Sequence, residues 1–174
     1  MFAQNDNIII RAAEPNDAEL IYNWENDQEI WRVSDTYMPY SLYQIESFLL
    51  NNNDLFSTRQ IRFIIEEKNN SKPIGCIDIY DFDPIHLRAG IGILIQKNFR
   101  KQGLAKESLQ LIIDYCFNVL MLKQIFCFVD SLNIDSLNLF KNIGFEQCGY
   151  RKEWIKTPEG FIDEYEFQYI NKNF

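Results

Sequence analysis

The chain has 174 residues, 47% of them hydrophobic and 15% aromatic, enough to bury one core and too few for two ordinary domains. With 17 Lys and Arg against 25 Asp and Glu, its net charge of -8 disfavours nucleic acid or an anionic membrane as partner and suits a cation. Apolar runs fall far short of the roughly 20 residues of a membrane helix, and scattered Cys76, Cys116, Cys127 and Cys148 with one histidine, His86, offer neither a disulfide framework nor a metal site, so reduced core thiols are expected.

The amino terminus, Met1-Phe2-Ala3-Gln4, lacks the basic start and apolar stretch of a secretion signal and reads as cytoplasmic. Ile8 to Arg11 looks like a first strand, and Asn16 or Asp17 can cap a helix whose Leu20, Ile21 and Trp24 recur at helical spacing. Ser41 and Gln44 fit a capping box opening a second helix, with Leu42, Ile45, Phe48 and Leu49 as its stripe. Ile61 to Glu67 and Ile74 to Tyr80 make a hairpin around the turn residues Asn69 to Pro73, and Ala89 to Gln96 a fourth strand. The longest helix runs roughly from Leu104 to Leu120, with Leu104, Leu111, Tyr115 and Val119 among its core positions. A strand at Gln124 to Val129, a short helix from Asp135 to Asn142 ended by Gly144, and strands at Phe145 to Trp154 and Ile162 to Ile170 complete the pattern. The order predicts one α+β domain over residues 1–174, with a mixed sheet of about seven strands and about four helices.

Chemistry concentrates between Gln96 and Ala105, where a strand passes through a basic turn into the longest helix. A helix N-terminus offers unpaired N–H groups and a partial positive charge, so a phosphate placed there gains hydrogen bonds and field stabilisation together. Lys97, Arg100, Lys101 and Lys106 add four positive charges with no acidic residue among them, and Gly103 lets the backbone approach closely. Taken alone, such a loop is equally well a solvated turn.

Arg100-x-x-Gly103-x-Ala105 resembles the pyrophosphate signature R/Q-x-x-G-x-G/A of the GNAT acyltransferases, in the same place between strand and helix. Asn133-x-x-Ser136 and Phe140-x-x-x-Gly144-Phe145 resemble that family's following segments. The stretch from Phe82 to Ile95 and the helix end Asp114 to Phe117 look most like the spermidine N-acetyltransferase branch, with ribosomal-protein N-terminal acetyltransferases close behind; the resemblance is strongest over residues 60 to 150. It implies a GNAT-like fold, mostly antiparallel, whose fourth and fifth strands splay apart. The pantetheine arm of acetyl-CoA would lie in that gap against the backbone of Leu94, Ile95 and Gln96. Arg100 and the N–H groups of Lys101, Gln102, Gly103, Leu104, Ala105 and Lys106 would surround the pyrophosphate, while Asn133 contacts the arm and Phe140 packs beside it.

The resemblance implies acetyl transfer to a primary amine, with a small polyamine such as spermidine ahead of a protein N-terminus such as that of a ribosomal protein. Two departures stand out. Phe140 occupies the slot where many relatives have a proton-donating tyrosine, and Gly90 and Gly92 stand where spermidine acetyltransferases commonly place polar residues. Phe140 also raises the alternative of a non-catalytic acyl-CoA-binding module. It leaves Asn133 and Ser136 as the candidate catalytic groups, Ser136 being equally a helix-start residue. His86 follows Asp83-Pro84 in a turn, which suits a loop role better than base catalysis, and Asp78, Tyr80 and Asp81 are further acceptor-side possibilities. Residues 1 to 59 carry 3 basic and 10 acidic side chains, and there Asp27, Glu29 and Asp35 flank Trp31 as candidates for holding a cationic substrate. Metal, nucleic acid and membrane are not expected as partners; association of identical copies is left open.

Overall fold

Eight strands form one mixed sheet in the computed structural model, which describes residues 2–31, 36–51 and 54–174. In chain order the strands are β1 (Ala3–Gln4), β2 (Ile8–Ala12), β3 (Ile61–Glu67), β4 (Lys72–Asp83), β5 (Arg88–Ile95), β6 (Gln124–Asp130), β7 (Glu146–Thr157) and β8 (Gly160–Ile170). The helices are α1 (Ala18–Glu25), α2 (Gln28–Trp31), α3 (Leu42–Asn51), α4 (Leu55–Thr58), α5 (Leu104–Asn118) and α6 (Ile134–Ile143). The sheet order is β1-β2-β3-β4-β5-β6-β8-β7, and every neighbouring pair is antiparallel except β5 and β6.

The α+β architecture expected from the sequence is present, with small differences in count. The additional strand, β1, is two residues long, and the additional helices, α2 and α4, are single turns too short to show an apolar period. β4 extends beyond Tyr80 to Asp83 through a register shift, so the segment expected as a link is partly strand. Asp17 does not cap α1 with its side chain. Its carboxylate turns back to accept from the Glu14 N–H and from Arg11, which also pairs with Glu66 at 2.7 Å.

Alternation in the central strands gives the sheet two buried faces. Phe63, Ile65, Ile77, Ile79, Ile91, Ile95, Ile125 and Cys127 join α5 and α6 in the larger core. Cys76 and Ile64 face the other way, onto Ala18, Ile21 and Trp24 of α1 and Ile45 and Leu49 of α3. On α5 the buried positions are Leu104, Ser108, Leu109, Ile112 and Cys116, whereas Leu111 and Tyr115 are half-buried and Val119 lies exposed at the C-cap. The stripe is thus rotated from the one expected, because a helix lying across a sheet buries a broad face rather than a single row. Of the cysteines, three are buried as core thiols and Cys148 is exposed.

Strand pairing fails where it matters for function. β5 and β6 pair only through Arg88, Ala89 and Gly90 against Gln124, Ile125 and Phe126. Beyond that point the two strands diverge, which leaves residues 91–95 without a β6 partner and opens a split in the sheet.

Candidate active site

Two cavities, of about 780 and 750 Å³, meet at this split from opposite sides, and Ile91, Gly92, Ile93, Leu94, Phe128 and Asp130 line both. The wall between them is the open edge of β5.

The cavity on the α5 side is built from local chain geometry. Arg100 Nε donates to the Ile95 carbonyl at 2.9 Å and ties the turn to the end of β5, while Gln102 donates to the Asn98 carbonyl. Lys101 adopts φ 61 and Gly103, the N-cap of α5, φ 85, so the chain doubles back immediately before the helix. No side chain caps this helix, and a Cβ added to Gly103 would meet nothing within 4 Å. The first N–H groups of α5 therefore face open space at the positive end of a 15-residue helix, with Arg100, Lys101 and Lys106 lining the same cavity. This set fits a diphosphate, and the unpaired edge of β5 fits an extended amide-bearing arm that can pair with it as a strand would.

Most of the residues singled out for a cofactor gather here. Leu94, Ile95, Arg100, Lys101, Gly103, Ala105, Lys106, Asn133, Ser136 and Phe140 all line this cavity. Gln96, Gln102 and Leu104 do not; Gln96 instead ties back to β4, its N–H donating to the Ile74 carbonyl at 2.8 Å. The Asn133 side chain accepts from the Ser136 N–H as the N-cap of α6, and Phe140 is buried edge-on to Phe145.

The opposite cavity is assembled from distant parts of the chain by sheet register. Arg62, Asp78 and Gly92 lie in one cross-strand row, and Tyr80, Gly90, Phe126 and Gln168 in the next. Arg62 forks onto both carboxylate oxygens of Asp78 at 2.7 Å and onto Glu25 of α1, with the Phe48 ring 5.8 Å away. Burial and the neighbouring carboxylates pull the guanidinium in opposite directions, and the net effect raises its pKa. Cys76 lies in the same cavity, and burial pushes its thiol up to about 12 despite Arg62, so it stays protonated and unreactive. Asp130 and Glu164, opposite each other on β6 and β8, complete the acidic lining.

The acidic residues proposed from the sequence take other places. Glu29 lies at the rim of the α5-side cavity and pairs with Lys97 at 2.9 Å, both side chains largely exposed. Asp27 is exposed, and its carboxylate accepts from the Glu29 N–H at the start of α2. Trp31 donates its indole N–H to the Glu25 carbonyl; Asp35 lies outside the described residues. The acceptor-side carboxylates Glu25, Asp130 and Glu164 had no local signal, since register pairs Asp130 with Glu164 and helix packing brings Glu25 to Arg62. His86 is exposed in the turn at the paired end of β5, away from the split, its N–H held by Asp83. Among the described residues no group of three metal-ligating side chains converges, and no helix is long and apolar enough to cross a membrane.

Comparison with known proteins adds to this geometry. Residues 7–146 match the family model described as an acetyltransferase (GNAT) domain. The spermidine N(1)-acetyltransferase of Vibrio cholerae is 26% identical over 159 residues, covering 91% of this chain and 87% of that one. The crystal structure of spermidine N-acetyltransferase from Vibrio cholerae in complex with CoA and spermine superposes with a TM-score of 0.86 at 24% identity, covering 95% of this chain and 96% of the other. The ribosomal-protein-S5-alanine acetyltransferase of Vibrio fischeri gives a TM-score of 0.86 at 18% identity, covering 98% and 97%.

Proposed function

The chain belongs to the GNAT acetyltransferase family, and we propose that this acetyl-CoA-dependent N-acetyltransferase acts on a small polycationic amine such as spermidine. The observation that carries the substrate class is the lining of the acceptor-side cavity: Glu25, Asp78, Asp130 and Glu164 against Arg62, with Arg151 pairing Glu164 at 2.8 Å from beside the recess. Four carboxylates and two guanidiniums still leave an excess of negative charge at the recess, where it acts on a bound ammonium more strongly than surface charge does.

Acetyl-CoA supplies an activated acyl thioester when bound. The chain's own groups must orient the amine and strip its proton. A free alkyl amine of pKa about 10.4 is only about one part in 2,500 neutral at pH 7, a cost of roughly 4 to 5 kcal/mol unless its surroundings help. Ile91 and Ile93 beside the split disfavour a charge there, while the carboxylates of the same cavity suit the amine's other ammonium groups. An unpaired β5 N–H at residues 91–95 supplies a donor for a developing oxyanion.

A second reading, acetylation of a protein N-terminus, is favoured by Tyr40, which lines the cavity, and by exposed Tyr37 and Tyr43 nearby in sequence, because aromatic side chains suit a peptide chain. Thiol release from acetyl-CoA with spermidine, spermine, amino acids and alanine-initiated peptides separates the two. The polyamine reading expects kcat/KM at least about tenfold higher for polyamines, falling as salt is added; preference for peptides with no salt dependence contradicts it.

A further inference from the structure

With Phe140 in the slot expected to donate a proton, the split still contains a phenol, and it comes from a different strand. Tyr80 of β4 lies opposite Gly90 of β5 and lines the acceptor-side cavity. A Cβ on Gly90 would stand 2.2 Å from the Tyr80 ring, so that ring occupies the space where any other residue would place a side chain. Gly92, the next residue on that face, also lacks a side chain, and an added Cβ would come to 3.9 Å from the ring. A Cβ at Gly92 would thus make only ordinary contact, whereas the missing side chain of Gly90 clears a path across β5. Tyr80 uses it to reach β6, packing edge-on to Phe126 at 5.9 Å with its oxygen near the backbone N–H of Phe128. Gly90 and Phe126 form the last pair before the strands part. The hydroxyl therefore stands at the apex of the split, beside Phe128, which faces both cavities.

We propose that Tyr80 is the catalytic acid of the transfer, donating its hydroxyl proton to the sulfur that leaves the acyl group. The proposal rests on the acetyl-transfer reading above. As the amine nitrogen bonds to the acyl carbon, the C–S bond breaks and its electron pair goes to sulfur. Sulfur takes the Tyr80 proton, and the phenolate regains one from the nitrogen, directly or through water, so that amide and thiol are the net products. Two features suit the phenol to this step. Burial raises its pKa and keeps it protonated at neutral pH, while the Phe128 N–H acts the other way and stabilises the transient phenolate.

The substitution Tyr80→Phe keeps the ring on Gly90 and deletes only the hydroxyl. With spermidine and acetyl-CoA, kcat is expected to fall about 100-fold, the lower end of typical acid–base contributions, with KM for the amine within about twofold. Equilibrium binding supplies a readout independent of turnover. Wild-type protein should bind CoA more tightly at pH 9 than at pH 7, because the phenol donates to the thiolate, whereas S-ethyl-CoA, which cannot ionise, should show no such gain. Tyr80→Phe should abolish the difference and leave S-ethyl-CoA affinity unchanged. A variant with kcat within about twofold of wild type and the same pH response would overturn the assignment and reduce Tyr80 to a packing residue. Wild-type protein that acetylates no amine would instead contradict the substrate reading, and the CoA titrations would still decide on Tyr80.

Discussion

The two cavities that meet at the split are made in opposite ways. On the α5 side the parts that suit a diphosphate are contiguous: the end of β5, a turn with two left-handed residues, and the first N–H groups of one helix. On the other side Glu25, Arg62, Asp78, Tyr80, Asp130 and Glu164 come from five different elements and meet through strand register and the packing of α1 on the sheet. A backbone cradle tolerates many side chains but depends on the conformation of a few residues. A side-chain cradle depends on identity, and each charge in it needs its partner.

The sharpest contrast is expected at Arg62. Replacing it with Met leaves Glu25 and Asp78 unpaired in a partly buried site and should cost about 3 kcal/mol of stability in urea unfolding. Converting all three together, with Glu25→Gln and Asp78→Asn, should recover most of that loss; equal loss in single and triple variants would show that packing, not charge, dominates. The corresponding test on the backbone cradle is Gly103→Val. A β-branched residue resists φ 85 by about 1–2 kcal/mol, so the CoA dissociation constant should rise roughly tenfold with the fold retained. Unchanged affinity would mean that the turn does not grip the cofactor.

Smaller effects separate acidic residues inside the recess from those outside it. Asp130→Asn keeps the acceptor for the Leu132 N–H but removes a charge, and should raise the spermidine KM about fivefold at low salt, roughly 1 kcal/mol, whereas exposed Asp27→Asn should change it less than twofold. Equal responses would move substrate recognition to the α1–α2 link. The smallest effect belongs to Glu29→Gln, which removes an exposed pair with Lys97 and should alter stability by less than about 0.5 kcal/mol in the same unfolding assay.

This division also explains what could be read in the sequence. Gly103 and its basic neighbours were legible because helix-end chemistry is written in adjacent residues. Gly144 was legible for the same reason and ends α6 at φ 112. The acceptor side was legible only in part: Asp78 and Tyr80, acceptor-side possibilities in the sequence, line that cavity. Acidic residues near Trp31 drew attention by their density, yet Asp27 ends up as a local turn acceptor and Glu29 pairs with Lys97. Asp130 and Glu164 lie 34 positions apart, and only the pairing of β6 with β8 makes them opposite partners. Gly90, which looks like a lost polar group in one dimension, becomes in three dimensions the clearance that seats Tyr80.

Hydrogen exchange of the protein with and without CoA tests the central claim, a diphosphate on the α5 N-terminus and an extended arm along open β5. The account predicts slowed exchange at the N–H groups of residues 103–106 and, in the same experiment, at residues 92–95. Protection absent from both segments, or confined to α1 and α3 on the opposite face, would contradict it.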